Sequence, residues 1–188
     1  MNAGLSSSVR EASVEIRSLA WTDFDEWSSL QASRYAELDS NPELGLYTEV
    51  EPPTRSDFAN YFAGVMAGMF EGRIISNIAA DARRVLGHAS VFPVSDHREK
   101  RHIGSLGMVV RTDYRGRGIG RRLLTKTLDD CVGKYEIVEL SVTSTNLPAL
   151  HLYRSLGFVE RGRIPRSFKR GELYLDEFVM SRPVPLSG

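Results

Sequence analysis

Arg115-Gly116-Arg117-Gly118-Ile119-Gly120 sets three glycines at alternate positions between an apolar run ending at Val110 and a helical pattern opening near Gly120. Glycine lacks a β-carbon, so such a backbone can curl tightly and turn several N–H groups toward one point, while the helix N-terminus adds partial positive charge. The chemistry this favours is the binding of a phosphate or pyrophosphate. Arg115, Arg117, Arg121 and Arg122 supply cationic donors beside it. A nucleotide P-loop requires Lys and then Ser or Thr after its last glycine, and Arg121-Arg122 stand there instead. A dinucleotide fingerprint requires a glycine three residues after Gly118, where Arg121 stands. A glycine-rich turn of purely structural use fits the same residues.

Other side chains with reactive groups have plainer readings beside the chemical ones. Tyr153 falls on one helical face with Ala149, Leu152 and Leu156, the pattern of a packed aromatic. Asn146 stands where a helix cap is needed. Glu139 alternates with Val138 and Leu140 in a strand, facing either a cleft or solvent. His88 sits in an apolar strand, where a lone histidine is usually structural, and Glu49, Glu51 and Asp96 are weaker candidates for a base. Arg161, Arg163, Arg166, Lys169 and Arg170 concentrate positive charge, balanced by Glu172, Asp176 and Glu177 as in a solvated hairpin.

The elements that must position these residues follow from periodicity. Val14 to Arg17 alternates like a first strand, and Thr22 with Asp25 resembles a capping box opening a helix through Phe24, Trp27 and Leu30. Asn41 to Pro53 reads as a loop with three prolines. Thr54 with Asp57 caps a second helix carrying Phe58, Tyr61, Phe62, Val65, Met66 and Met69, with Gly72 as its stop. Strands at about 74–80, 85–93 and 102–110 make an antiparallel meander. Leu123 to Val132 keep a helical period and 135–142 reads as a buried strand, so strand, helix and strand suggest a parallel crossover. Asn146, Pro148 and Gly157 punctuate a short helix, and strands at 158–161 and 173–180 close the chain around a basic connection.

The 188 residues carry 24 Lys plus Arg against 24 Asp plus Glu and are 41% hydrophobic, the profile of one globular domain. We expect a flexible leader over 1–12, a single domain over 13–183 and a tail over 184–188. Zero formal charge argues against a nucleic-acid partner, and no apolar run is long enough for a membrane span. One cysteine, Cys131, excludes an internal disulfide and multi-cysteine metal sites, and suits the cytoplasm; no metal is expected.

Arg115, Gly118 and Gly120, after Leu106-Gly107-Met108-Val109-Val110, resemble the central signature of the GNAT superfamily of acyl-CoA-dependent N-acetyltransferases. Asn146, Ala149, Tyr153 and Gly157-Phe158 resemble its second signature. The close likeness covers about residues 102–180. It implies an α/β fold with a mixed, mostly antiparallel sheet flanked by helices and a splayed central strand pair. It implies acetyl-CoA as co-substrate and transfer of an acetyl group to a primary amine by direct attack. Cofactor contacts would then fall to Met108, Val110, Arg115, Gly116, Arg117, Gly118, Ile119, Gly120, Arg121, Asn146 and Tyr153, with Tyr153 as general acid toward the departing thiolate. No residue is assigned as the base. The superfamily's frequent dimers put a homodimer among the assemblies the resemblance allows. The rival from another class is a non-catalytic acyl-CoA-binding or sensing module.

Overall fold

A computed structural model of the chain describes residues 13–41, 52–82 and 84–185. The expected leader at 1–12, the base candidates Glu49 and Glu51, and the last residues of the expected tail lie outside the described residues.

Seven strands form one sheet in the order β1-β2-β3-β4-β5-β7-β6. Strand β1 is Glu15–Ser18, β2 is Ile75–Ala80, β3 is Val85–Pro93 and β4 is Ile103–Val110. Beyond them β5 is Ile137–Thr143, β6 is Val159–Arg170 and β7 is Leu173–Pro183. Every neighbouring pair is antiparallel except β4 with β5. Helices α1 (Phe24–Ser40) and α2 (Arg55–Phe70) precede the meander, α3 (Ile119–Asp129) makes the β4–β5 crossover, and α4 (Leu147–Ser155) joins β5 to β6.

Strand parity assigns the two faces. Ile78 and Ala80 pack with Trp27 and Leu30 of α1 and Phe62 and Val65 of α2. Their neighbours turn the other way: Ala79 packs with Ile119 and Leu123 of α3, and Ile75 with Leu124 and Leu128. The sheet is therefore covered on both sides, which is why every residue of β2 is buried and an alternating polar face is missing from it.

Local signals explain most helix ends. Thr54 Oγ1 accepts the Asp57 N–H (3.3 Å) while the Asp57 carboxylate accepts the Thr54 N–H (2.9 Å), closing the expected capping box. Helix α1 differs from expectation: it is preceded by a 3-10 turn at Trp21–Asp23 and has Asp23 at its N-cap. Asp23 accepts the Ala20 N–H (2.8 Å) and pairs with both Arg17 nitrogens (2.7 Å each), a tie to β1 that the Thr22/Asp25 spacing does not contain.

A larger difference is β6. The stretch read as a basic connection is strand through Arg170, turning at Gly171 (φ 56°) into β7. Its residues are nearly all exposed, so the strand has no apolar alternation to betray it. Cross-strand charges hold it instead: Arg163 Nε meets Asp176 Oδ2 at 2.8 Å, and the Arg166 guanidinium lies 3.8 Å from the Tyr174 ring centre. This is the solvated, charge-balanced hairpin.

Candidate active site

The glycine segment enters α3 through two left-handed residues, Gly116 (φ 73°) and Gly118 (φ 77°), the second serving as N-cap. A side chain in that region strains the backbone, so glycine is required by conformation; a Cβ at either position would meet nothing within 4 Å. The first helical bond is Arg122 N–H to the Gly118 carbonyl (3.1 Å). None of the main-chain N–H groups from Gly116 to Arg121 finds an acceptor among the described residues. The curl thus leaves a set of donors at the positive end of a helix dipole, a site for an anion.

The arginines divide their duties. The Arg115 guanidinium pairs with both carboxylate oxygens of Glu37 on α1, and its Nε donates to the Val110 carbonyl (3.0 Å). It fastens the loop to α1, and any contact it makes with an anion falls to its backbone. Arg122 likewise reaches back to the Val14 carbonyl (2.8 Å). Arg121 donates to Ser155 Oγ (2.8 Å), and Arg117 lies over the Tyr114 ring at 5.3 Å.

Next to this loop, β4 and β5 separate. Their register is Ile103 with Ile137, Gly104 with Val138 and Ser105 with Glu139, and no pairing continues beyond Ser105. Gly104 marks the close end: a Cβ there would sit 2.4 Å from Val91 Cγ1 and 3.1 Å from the Tyr135 ring. Arg111 N–H bonds the Leu86 carbonyl (2.8 Å) at the β3 edge, and hydrogen bonding alternates along a strand. The backbone groups of Met108 and Val110 therefore turn away from β3, toward the side that β5 has left.

A cavity of about 390 Å³ fills the gap, and Met108, Glu139, Asn146 and Tyr153 line it. Asn146 also caps α4, its side chain accepting the Ala149 N–H at 3.3 Å, so one residue serves the helix and faces the cleft. Tyr153 is 7% exposed and edge-on to Phe158 at 5.7 Å, packed as the periodicity predicts yet lining the cleft. Burial pushes its phenol up to about 12, so it is in the proton-donating form throughout the physiological range. Gly120 brings α3 against the same cleft: a Cβ there would lie 3.7 Å from both Met108 Cε and Val110 Cγ2.

A second cavity, about 470 Å³, lies beneath α1 and α2, walled by Trp27, Phe58, Tyr61 and Phe92. His88 lines it, buried and pushed down to about 3 by desolvation and then by the Arg34 charge, so it is neutral. Gln31 meets it at 3.2 Å, Ser76 at 2.8 Å and Ser90 at 2.9 Å. Sequence reasoning leaves His88 structural and overlooks Trp27, Gln31 and Arg34 as a set. Their i, i+4, i+7 spacing places them on one face of α1, but helical spacing alone does not tell a cavity wall from core packing. Asp96 lines a separate pocket beside Arg101 and Lys134 and meets neither cavity.

The arrangement is a narrow cleft between diverging strands, an anion cradle at one end and an aromatic chamber at the other. The chain is similar to known proteins. L-amino acid N-acyltransferase MnaT of Escherichia coli is 32% identical over 114 residues, 57% of this chain and 65% of that one, so the match spans just under two thirds of this relative. N-alpha-acetyltransferase RimI of Mycobacterium tuberculosis is 31% identical over 156 residues, 83% of this chain and 85% of that one. The solved structure of yncA, a putative acetyltransferase from Salmonella typhimurium with its cofactor acetyl-CoA, superimposes with a TM-score of 0.77 at 20% identity, covering 92% of this chain and 94% of that one. The family model of the acetyltransferase (GNAT) family matches residues 14–158, a span that runs from β1 through α4 and includes the glycine segment and Tyr153. By that match the chain belongs to the GNAT acetyltransferase family.

Proposed function

We propose that the protein is an acetyl-CoA-dependent N-acetyltransferase in which the donor lies along the β4–β5 cleft and the acceptor amine enters from the aromatic chamber. The observation that carries this reading is the row of unpartnered N–H groups from Gly116 to Arg121, set beside the gap that opens after Ser105. A pyrophosphate suits the first and an extended amide-bearing arm suits the second. Relatives named as an L-amino acid N-acyltransferase and an N-alpha-acetyltransferase support a primary amine as acceptor.

In this reading the backbone of Arg115 to Arg121 binds the pyrophosphate, and the main chain of Met108 and Val110 pairs with the pantetheine arm. The Val110 N–H also polarises the thioester carbonyl, stabilising the negative charge that grows on its oxygen as the amine attacks. The amine must be neutral to attack, because its lone pair forms the new bond. Collapse of the tetrahedral intermediate breaks the carbon–sulfur bond and leaves a thiolate. Tyr153, held protonated by burial, supplies the hydrogen bond and proton that the sulfur requires. Asn146 keeps the start of α4, and with it Tyr153, at the cleft.

A lone, buried cysteine suits a reducing compartment, and we place the protein in the cytoplasm. Among the described residues no helix is long and apolar enough to cross a membrane.

The test is thiol release from acetyl-CoA in the presence of amino acids, small amines and peptides. The proposal predicts release that depends on an amine and yields the N-acetylated product. Acetyl-CoA binding without amine-dependent release over the whole set would contradict it.

A further inference from the structure

Glu37 stands where a carboxylate costs energy twice. It lies in the last turn of α1, at the negative end of that helix dipole, and it approaches the loop whose amides suit an anion. Its side chain is nonetheless only 13% exposed. Arg115 offsets both costs: its two terminal guanidinium nitrogens meet the two carboxylate oxygens, with Nη2 to Oε2 at 2.7 Å. The charges cancel within the pair, so the pair brings no net charge to the amides beside it.

The third nitrogen of Arg115 fixes the end of β4. Nε donates to the Val110 carbonyl at 3.0 Å, while the N–H of Arg111, in the same peptide unit, donates to the Leu86 carbonyl at 2.8 Å. That peptide is pinned on both edges. It joins β4 to the connection that leads into the amides of Gly116 to Arg121. A second strap runs beside the first, for Arg111 Nε donates to the Val85 carbonyl at 2.8 Å and Arg111 Nη2 to Ser29 Oγ of α1 at 3.2 Å. The connection from Arg111 to Arg115 is therefore fastened to α1 at both of its ends, by Ser29 and by Glu37.

We propose that Glu37 is a positioning residue for acetyl-CoA: acting through Arg115, it fixes the direction of the Val110 backbone groups and of the Gly116–Arg121 amides. The inference rests on the acetyltransferase reading above and adds to it a residue of α1, far in sequence from the glycine segment. Charge and position make opposite demands at Glu37, which makes the role measurable. If charge alone counts, removing a carboxylate beside a diphosphate site tightens binding. If the carboxylate anchors the loop, removing it loosens binding.

The experiment is calorimetry of acetyl-CoA binding to the full chain and its variants, with urea denaturation of each. The proposal predicts that Glu37→Ala weakens binding about 10-fold, the range of a lost charge-assisted hydrogen bond, although it leaves the site more positive. Arg115→Ala should lose at least as much, and the double variant should bind no more weakly than Arg115→Ala alone, because both changes remove one device. Glu37→Gln keeps an acceptor for one guanidinium nitrogen and should restore part of the loss. A merely structural pair would lower the urea midpoint of the variants and leave the affinity of the folded protein unchanged. That result would overturn the proposal, as would tighter binding by Glu37→Ala or losses that add in the double variant. Should Glu37→Ala not fold, the sign of the change in Glu37→Gln decides. Wild-type protein that binds no acetyl-CoA would overturn the acetyltransferase reading and this one with it, whereas binding indifferent to Glu37 overturns this one alone.

Discussion

Periodicity cannot separate the packing of Tyr153 from its proposed role as proton donor, since a packed aromatic and a proton donor would both sit on the inner face of α4. Geometry adds that its ring lines the β4–β5 cleft while burial keeps the phenol protonated. Tyr153→Phe keeps the ring and removes the proton, so turnover at saturating substrates should fall about 100-fold or more while acetyl-CoA affinity by calorimetry stays the same. Undiminished chemistry-limited turnover would leave the tyrosine as packing only. Arg115 teaches the opposite lesson. Its place in the motif is plain from the sequence, yet its side chain is committed to Glu37, 78 positions away, and no local pattern announces a partner at that separation.

At the scale of elements, the loop before α3 was the most legible part of the chain, because glycines at alternate positions after an apolar strand leave few conformations open. Gly118 separates the two demands on that loop. Gly118→Ala places a side chain at φ 77° with open space around it, so it should cost roughly 1 kcal/mol of stability through backbone strain, read by urea denaturation. Gly118→Asp adds a negative charge at the helix N-terminus and should weaken acetyl-CoA binding about five-fold beyond the alanine variant. Equal affinities for the two would remove the anion from this loop. Strand β6 was illegible for a physical reason: with both faces exposed, its sequence carries charge rather than alternation. The α1 face of Trp27, Gln31 and Arg34 lay between these cases, visible as spacing but meaningless until β3 brought His88 against it.

Across the whole molecule, the buried network around His88 ties stability to pH. A histidine held down to about 3 in the folded protein takes up its proton more readily when unfolded, where it titrates near its ordinary 6.5. Its contribution is complete above about 6.5 and is lost as pH falls toward 3, by up to about 1.4 kcal/mol for each pH unit. Urea denaturation at pH 7.5 and pH 4.5 should show this loss, and His88→Gln should reduce the difference between the two pH values even though it lowers stability at both. A pH dependence unchanged in the variant would place the titrating group elsewhere. The same sheet that buries His88 also makes the cleft, since β4 pairs with β3 along its length and with β5 only as far as Ser105.

The parting of β4 and β5, with the amides from Gly116 to Arg121 beside it, is the proposed seat of the acyl donor. A crystal structure with coenzyme A tests it most directly. We predict the diphosphate on those amides, the pantetheine arm against Met108 and Val110, and the sulfur within hydrogen-bonding reach of Tyr153. A diphosphate bound away from the start of α3, or a sulfur far from Tyr153, would contradict the account.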